Sequence, residues 1–286
     1  MNIGDLVCRK SYNKDIRFVI KSVKENVAIL TGIDYRLIAD AKLNDLVPVR
    51  TRSNNSSEST EEESCDSDEW PLDEYGRLKS SKCITISNEE ITTISVNESL
   101  YSNTKCGLIL HIDGDKSYLS DCLSYYKKFG VSATGVNISE DKQPSMILGL
   151  LQKFNPNIIV ITGHDSLRKR FKSSTNINNY KNSKYFVESI KIARNYNKNY
   201  DDLIIIAGGC KSHYEELMKA GANFASSPNR TLLNVIDPVY VACKFATTSI
   251  HTFLDIDDIS KDLISISGSI GGIETRGQCR RVKPNY

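Results

Sequence analysis

Two short apolar runs in the second half of the chain end in the same way. Residues 158–162 are aliphatic or β-branched and lead through one glycine to His164, whereas residues 203–207 are aliphatic and lead through two glycines to Cys210. Such runs, flanked by helical patterns, are typical of strands buried in a parallel sheet. Ligands of parallel α/β sheets bind just beyond the carboxyl ends of the strands. If these two strands are neighbours, His164 and Cys210 lie at one edge of one sheet.

The pattern on either side of these runs alternates between strands and helices from residue 107 onward. Helical spacing of apolar residues is found around 118–126, 147–154, 186–193, 212–220 and 235–245, and further short strands are predicted at 108–112, 131–136 and 222–225. Alternation of this kind predicts an α/β domain with a parallel sheet, right-handed crossovers and helices on both faces.

The first 50 residues have a different pattern. Short runs alternate polar and apolar side chains at close spacing, with turn residues between them, which predicts a small SH3-like β-barrel at 1–50. Residues 51–81 are polar, acidic and poor in aliphatic side chains, so they are predicted to form a flexible acidic linker. Isoleucine and valine side chains at 84–96 indicate short strands, which would open an α/β domain at 82–286.

Composition and charge narrow the possible partners. The net charge is +2 over 286 residues, which gives no electrostatic case for binding nucleic acid. No apolar run approaches the roughly 20 residues that span a bilayer, and the start of the chain lacks the features of a signal peptide, so we expect a cytoplasmic protein without a membrane segment. The eight cysteines are scattered and lack zinc-binding spacing, so we expect mostly reduced thiols, no metal site and no cofactor.

Cys210 is the candidate nucleophile. It follows two glycines, which allow the backbone to approach a ligand closely, and it precedes a predicted helix whose N-terminus would favour a thiolate. Its own backbone N–H could stabilise an oxyanion. The alternative is an inert buried cysteine, since free cysteine is among the most frequently buried residue types.

A nucleophilic thiol needs a base, and the chain offers four histidines. We prefer His164, because its strand ends in the same way as that of Cys210. His213 is the main rival, since it lies three residues after Cys210 and could share a helix face with it. A side chain in the first helical turn, however, tends to point away from a substrate at the helix N-terminus. His111 lies within a predicted strand and is expected to point into a helix layer, and His251 lies in an undistinguished segment.

Two carboxylates follow the first strand of the α/β domain. Spacing alone favours a helix-capping role for Asp113 or Asp115, and Asp115 is well placed before the helix at 118–126. The functional alternative is an acidic wall that binds a cationic group of a substrate.

The order of these motifs resembles that of the caspase-like (clan CD) cysteine peptidases, in which both catalytic residues follow adjacent parallel strands. This chain departs from their usual His-Gly pair, because Asp165 follows His164, although a backbone N–H is still available from Asp165. The similarity is closer to one family, the YabG sporulation-specific peptidases. It is carried by the segments 3–12, 36–40, 111–115, 160–165, 220–228 and 271–277.

This resemblance implies a cysteine endopeptidase with a caspase-like fold and a Cys210–His164 dyad. It also implies cleavage after arginine, with Asp113 as the leading substrate-binding residue and Asp115 next, because arginine-specific members of the class place an acidic residue at the end of the corresponding strand. The implied substrates are proteins of the spore coat and germination machinery. The implied location is the mother-cell cytoplasm and later the spore coat.

Self-cleavage is a further implication of the resemblance. Arg50, Arg52 and Arg77 lie at the edges of the predicted linker, where a protease could reach an extended chain. Cleavage there would separate the predicted barrel from the predicted catalytic domain.

Two other functions fit the same residues. A non-enzymatic coat scaffold would recruit partners through the barrel and use the α/β domain as a binding module. A Cys-His amidotransferase or hydrolase would have a strand–cysteine–helix turn and usually a base that follows the cysteine, which would make His213 or His251 essential.

Overall fold

The structure is a computed structural model that describes most of the chain outside the predicted linker. The described residues are 1–12, 14, 16–35, 37–49, 82–86, 91–95, 104–168, 175–260, 263–264 and 269–282. The chain divides into two compact units, the first comprising Met1–Asp34 and Ile38–Arg77 and the second comprising Tyr35–Leu37 and Leu78–Tyr286. The linker predicted at 51–81 lies outside the described residues, so the predicted domain boundaries stay predictions.

The first unit contains one antiparallel sheet. Its strands are β1 (Leu6–Arg9), β2 (Arg17–Lys24), β3 (Val27–Gly32), β4 (Ile38–Lys42) and β5 (Leu46–Pro48), in the order β4-β3-β2-β1-β5. Alternate side chains of the central strands are buried, among them Phe18, Ile20, Ala28 and Leu30, as expected of strands with one face on a core. The predicted short strands are therefore confirmed, and the SH3-like barrel stays a prediction.

The second unit is built on an eight-stranded mixed sheet. Its strands are β6 (Lys82–Ile86), β7 (Ile91–Ser95), β9 (Ile109–Asp113), β10 (Ala133–Asn137), β11 (Ile158–Thr162), β12 (Ile204–Ala207), β13 (Phe224–Ser226) and β15 (Ile270–Gly272). Their order across the sheet is β15-β13-β12-β11-β9-β10-β7-β6. Two small antiparallel pairs are formed by β8 (Thr104–Lys105) with β17 (Arg280–Arg281) and by β14 (Phe253–Leu254) with β16 (Thr275–Arg276).

The centre of this sheet is parallel, as the alternating pattern predicted. The five strands from β13 to β10 all run in the same direction. The edges differ from the prediction, because β15 and the β6–β7 hairpin pair antiparallel with their neighbours. A hairpin needs only a short connection, whereas a parallel neighbour needs a crossover, and residues 82–95 are too few to contain one. The α/β class is therefore confirmed with a mixed sheet, and the caspase-like assignment stays a prediction.

Helices cover both faces of the sheet. They are α1 (Lys116–Lys128), α2 (Gln143–Phe154), α3 (Ser183–Tyr196), α4 (Tyr214–Lys219), α5 (Asp237–Thr247) and α6 (Ile256–Ser260). Side chains of α2, α3 and α4 pack on the face that carries Ile161. On the other face, Tyr126 of α1 contacts His111, and Phe245 of α5 contacts Phe224. Within the described part of the chain, no helix is both long and apolar enough to cross a bilayer.

Candidate active site

The carboxyl ends of three parallel strands meet at one edge of the sheet. β11 lies between β9 and β12, and its last residue, Thr162, lies beside Asp113 in register. His164 follows the end of β11, and Cys210 follows the end of β12. The two strands are therefore neighbours, which meets the condition for His164 and Cys210 to lie at one edge of the sheet.

The loops that follow β11 and β12 are in direct contact. A Cβ atom placed on Gly209 would overlap the carbonyl oxygen of Gly163 and would lie 3.2 Å from the backbone nitrogen of Asp165. Gly208 has a φ of +112°, in the range where side chains are disfavoured. The two glycines before the cysteine therefore allow its loop to turn and to lie against the loop that carries the histidine.

The thiol of Cys210 lies beneath the protein surface. The residue is 2% exposed, and its Sγ accepts a hydrogen bond from the backbone N–H of Leu233 at 3.3 Å. The same Sγ donates to the Leu233 carbonyl oxygen at 3.6 Å. An N–H donor stabilises a thiolate, whereas a carbonyl acceptor requires the thiol proton. The resting arrangement therefore holds Sγ against both polar groups of the Leu233 backbone.

The helix after Cys210 begins later than predicted. The pattern predicted it from residue 212, but α4 starts at Tyr214, with His213 at its N-cap. The backbone before Tyr214 is not helical, because Lys211 has a φ of +59° and His213 has a ψ of 82°. Because the effect of a helix dipole falls off within one turn, α4 supports the thiolate less than the sequence suggested.

A buried carboxylate joins the two loops. Asp165 follows His164 directly and accepts hydrogen bonds from the hydroxyls of Ser183 and Ser212, the latter at 2.9 Å, and from the backbone N–H of Asn182 at 2.8 Å. Burial raises the pKa of Asp165, and these donors oppose that rise. Because the Ser212 hydroxyl also accepts the backbone N–H of Gly209 at 2.9 Å, the path Asp165–Ser212–Gly209 ties the histidine loop to the cysteine loop through side-chain hydrogen bonds.

His164 is oriented by a carboxylate. Its Nε2 lies 3.1 Å from Oδ2 of Asp115, and its backbone carbonyl accepts a hydrogen bond from Asn182 at 2.8 Å. The hydrogen bond with His164 is the largest cause that lowers the pKa of Asp115. An ionised carboxylate can only accept, so Nε2 carries the proton and Nδ1 is the basic nitrogen of the neutral ring. The imidazole therefore has a fixed tautomer, with Nδ1 left for proton exchange.

Asp115 has a second role as the N-cap of α1. Its side chain accepts the backbone N–H groups of Ser117 and Tyr118 at 2.8 and 3.3 Å. The capping role expected from its spacing is therefore confirmed. The same carboxylate holds the first turn of the helix and the imidazole of His164.

Glu140 is a site residue that the sequence analysis missed. Its Oε1 accepts the backbone N–H of His164 at 2.6 Å. The side chain lies so close to Gly114 and Gly163 that a Cβ atom on either glycine would clash with it. The available signal was positional, because Glu140 follows β10, the fourth strand whose carboxyl end lies at this edge.

Asp113 is buried beneath this edge. It has no exposed surface, its Oδ2 accepts the hydroxyl of Thr162 at 2.7 Å, and its Oδ1 accepts the backbone N–H of Asp115 at 2.8 Å. Asp115 and Glu140, in contrast, are only partly buried. The arginine-binding role of Asp113 and Asp115 stays a prediction, and of the two only Asp115 has exposed surface in this arrangement.

His111 belongs to the same buried network. Its Nδ1 lies 3.0 Å from the hydroxyl of Tyr126, and its Nε2 lies 2.8 Å from the hydroxyl of Thr162. Because Thr162 donates to Asp113, it accepts from Nε2–H of His111, which leaves Nδ1 to accept from Tyr126. Its expected orientation toward a helix layer is confirmed, since Tyr126 lies on α1.

His213, the rival base, has contacts with Thr175 and Glu215. Its Nε2 lies 2.9 Å from the carbonyl oxygen of Thr175, which can only accept, so Nε2 donates. Its Nδ1 lies 3.2 Å from a carboxylate oxygen of Glu215 but makes no hydrogen bond. Glu215 in turn pairs with Arg230 at 2.5 Å. The choice of His164 over His213 stays a prediction.

The family of the chain follows from its similarity to known proteins. Residues 2–284 match the family model described as YabG peptidase U57. This chain belongs to the YabG peptidase family. It is 37% identical over 293 residues to the sporulation-specific protease YabG of Bacillus subtilis (strain 168), an alignment that covers 97% of this chain and 96% of that relative. The resemblance indicated by the sequence segments is therefore confirmed, and it supports a sporulation protease.

A metal site in this YabG-family chain would need several histidine, cysteine or carboxylate side chains close together. Among the residues that the structure describes, no group of three or more histidine, cysteine, aspartate or glutamate side chains could hold a metal ion.

The double role of Asp115 can be tested by two substitutions. Asp115→Ala removes the helix cap and should lower the free energy of unfolding by about 1 kcal/mol, whereas Asp115→Asn keeps a capping oxygen and should stay close to the wild type. Urea denaturation of the three proteins measures the difference. Equal losses in both variants would contradict the capping role.

The loop connection through Ser212 can be tested in the same way. Ser212→Ala leaves the buried Gly209 N–H and Asp165 carboxylate without this partner, so we expect a loss of about 1–3 kcal/mol in the free energy of unfolding. Ser166→Ala, at a neighbouring exposed serine, is the control and should change stability by less than about 0.5 kcal/mol. Equal stability of the two variants would show that the connection contributes nothing.

Proposed function

We propose that this chain is a sporulation-specific cysteine endopeptidase that cleaves after arginine. The observation that carries the proposal is the contact between two strand-end loops, one bearing a carboxylate-oriented histidine and the other a cysteine. A thiol and an imidazole at one sheet edge are the minimum needed for covalent acyl transfer. Because the chain belongs to a peptidase family, the carbonyl group that is attacked is proposed to be that of a peptide bond.

The proposed reaction begins at Cys210. His164 Nδ1 accepts the thiol proton, and Sγ attacks the scissile carbonyl carbon to form a tetrahedral intermediate. Collapse of the intermediate breaks the peptide bond as the imidazolium protonates the leaving amine. Water, deprotonated by the imidazole, then attacks the thioester and releases the carboxylate product and the free thiol. Asp115 stabilises the imidazolium in both halves of the reaction.

Two backbone N–H groups are proposed to stabilise the oxyanion. One belongs to Cys210, and the other belongs to Asp165, whose nitrogen faces the Gly209 backbone. The N–H of His164 is excluded from this role, because it donates to Glu140. Asp165 occupies the position that departs from the usual His-Gly pair, and the role needs only its backbone.

Because the Cys210 thiol is buried, the proposed reaction needs a change in side-chain conformation before the attack. Since Sγ contacts the Leu233 backbone, the Cys210 side chain must turn away from Leu233 before it can attack a substrate. The same burial is the observation that favours the non-enzymatic scaffold as the alternative function. The two functions differ in whether the thiol ever becomes reactive.

The test of the dyad is the hydrolysis of an arginyl peptide amide. Cys210→Ala and His164→Ala should each lower kcat/KM by about 10³-fold or more. His251→Ala is the matched control, because this exposed histidine should leave hydrolysis unchanged. Wild-type activity in Cys210→Ala would contradict the mechanism. Loss of activity in His251→Ala or His213→Ala, with activity kept in His164→Ala, would favour the amidotransferase-like alternative.

Arginine recognition is proposed to rest on the partly exposed carboxylates Asp115 and Glu140. Both lie at His164, one on its ring and one on its backbone N–H, so a guanidinium bound there would lie next to the dyad. A planar guanidinium can bond a carboxylate through two parallel hydrogen bonds, which lysine cannot do. Asp113 is the weaker candidate in this arrangement, because it has no exposed surface.

The specificity proposal is tested with paired substrates that carry arginine or neutral citrulline. Glu140→Gln should lower the arginine-to-citrulline ratio of kcat/KM by about 10-fold or more, because a charge-assisted bond is lost. Asp113→Asn should keep the ratio. The reverse pattern would assign the arginine site to Asp113. A change in the orientation of His164 would affect kcat/KM for both substrates alike, so it would leave their ratio unchanged.

The proposed substrates are proteins of the spore coat and germination machinery, reached from the mother-cell cytoplasm, and no metal or organic cofactor is proposed to take part. Self-cleavage is proposed at Arg50, Arg52 or Arg77, which lie outside the described residues. Intact-mass spectrometry of the purified protein should show fragments that end at one of these arginines, while Cys210→Ala stays full-length. A wild type that stays intact on long incubation, or fragments that also form in Cys210→Ala, would contradict self-cleavage.

A further inference from the structure

Two cysteines face each other across the antiparallel pair β8–β17. Arg280 lies opposite Lys105 and Arg281 opposite Thr104, so the next position along the two strands places Cys279 opposite Cys106. The register continues one position further, because a Cβ atom on Gly107 would lie 2.7 Å from Cβ of Gln278. Residues that face each other in an antiparallel pair have Cα atoms about 4.5–5.5 Å apart, which is within the range that a disulfide bridges.

The two thiols are also close to each other. Cys279 lies near enough to Cys106 to affect the pKa of that thiol, and both residues are partly exposed. Burial, followed by the proximity of Cys279, raises the pKa of Cys106 to about 12. Cys106 therefore keeps its proton more firmly, which disfavours it as the first attacking thiolate.

The backbone around this thiol pair is held in place by hydrogen bonds. The N–H of Cys279 donates to Thr248, and its carbonyl accepts from Ile250, at 2.8 and 3.0 Å. The N–H of Gly107 donates to the carbonyl of Ala246 at 3.0 Å. Because the neighbouring backbone is already fixed on both sides, closing a bond between the two sulfurs requires little rearrangement.

A third thiol lies behind the pair. Cys243 of α5 is 4% exposed, and Cys106 is close enough to contribute to the rise of its pKa. Cys243 lies on a helix rather than across a strand pair, and its burial keeps it from an external oxidant. Of the three thiols, only Cys106 and Cys279 combine facing positions with exposure.

We propose that Cys106 and Cys279 are a redox-active pair that closes to a disulfide by exchange with an external disulfide of the glutathione type. The Cys279 thiolate attacks one sulfur of the external disulfide, forms a mixed disulfide and releases one external thiolate. The Cys106 sulfur then attacks Sγ of Cys279 and releases the second external thiolate. One protein disulfide replaces one external disulfide, and the two protons lost by the cysteines pass to the released thiolates.

The closed pair would fasten the end of the chain to the start of the central sheet. Cys106 lies just before β9, the strand that ends at Asp113, and Cys279 lies just before β17, the last described strand. The crosslink therefore encloses every residue of the candidate active site. A crosslink across so long a loop strongly restricts the unfolded chain.

The test is peptide mapping of the full-length wild type after incubation with excess oxidised glutathione, with free thiols alkylated before digestion. The expected product is a single Cys106–Cys279 crosslinked peptide. It should also form in Cys243→Ala, which controls for the third thiol, and it should be absent from Cys279→Ser. Alkylated Cys106 and Cys279 in the oxidised wild type, or a dominant crosslink from either of them to another cysteine, would overturn the proposal.

Thermal unfolding supplies a second readout that does not depend on peptidase activity. The oxidised wild type should melt about 5 °C or more above the reduced protein. Cys279→Ser treated with the same oxidant keeps the other thiols, so it should show no rise. Equal melting temperatures for a wild type with a mapped crosslink would overturn the stabilising role of the pair.

Discussion

The parallel pairing of β9, β11 and β12 is the constraint on which the site depends. These strands are buried on both faces, so their side chains pack against helices above and below the sheet. A shift of one residue in the pairing would exchange the two faces of a strand, which the packing forbids. The register therefore fixes which residues emerge together beyond the strand ends.

A network of buried polar groups runs from α1 across the sheet to the end of β9. The chain of hydrogen bonds from Tyr126 through His111 and Thr162 to Asp113 satisfies each donor and acceptor along it. A fully bonded network in a low-dielectric interior is rigid, whereas a partly bonded one is costly. Asp113 connects this network to the loop after β9, because it accepts the backbone N–H of Asp115.

The hydrophobic pattern and the spacing of residues predicted those features that depend only on neighbours along the chain. The aliphatic runs before His164 and Cys210, and the capping position of Asp115, were visible in the order of residues. The contributions of Glu140 and Asp165 were not visible, since each depends on which loops meet in space. The late start of α4 was not visible either, because it depends on the left-handed backbone of Lys211 in the loop after β12.

The N-cap at Asp115 has a consequence for the behaviour of the protein in acid. The folded environment lowers the pKa of this carboxyl, so its contribution to stability is present above its ordinary value and disappears as the pH falls through the lowered one. Uptake of that single proton weakens both the start of α1 and the bond that orients His164. Because both bonds end on one carboxyl, its protonation couples the order of the first helical turn to the orientation of the imidazole.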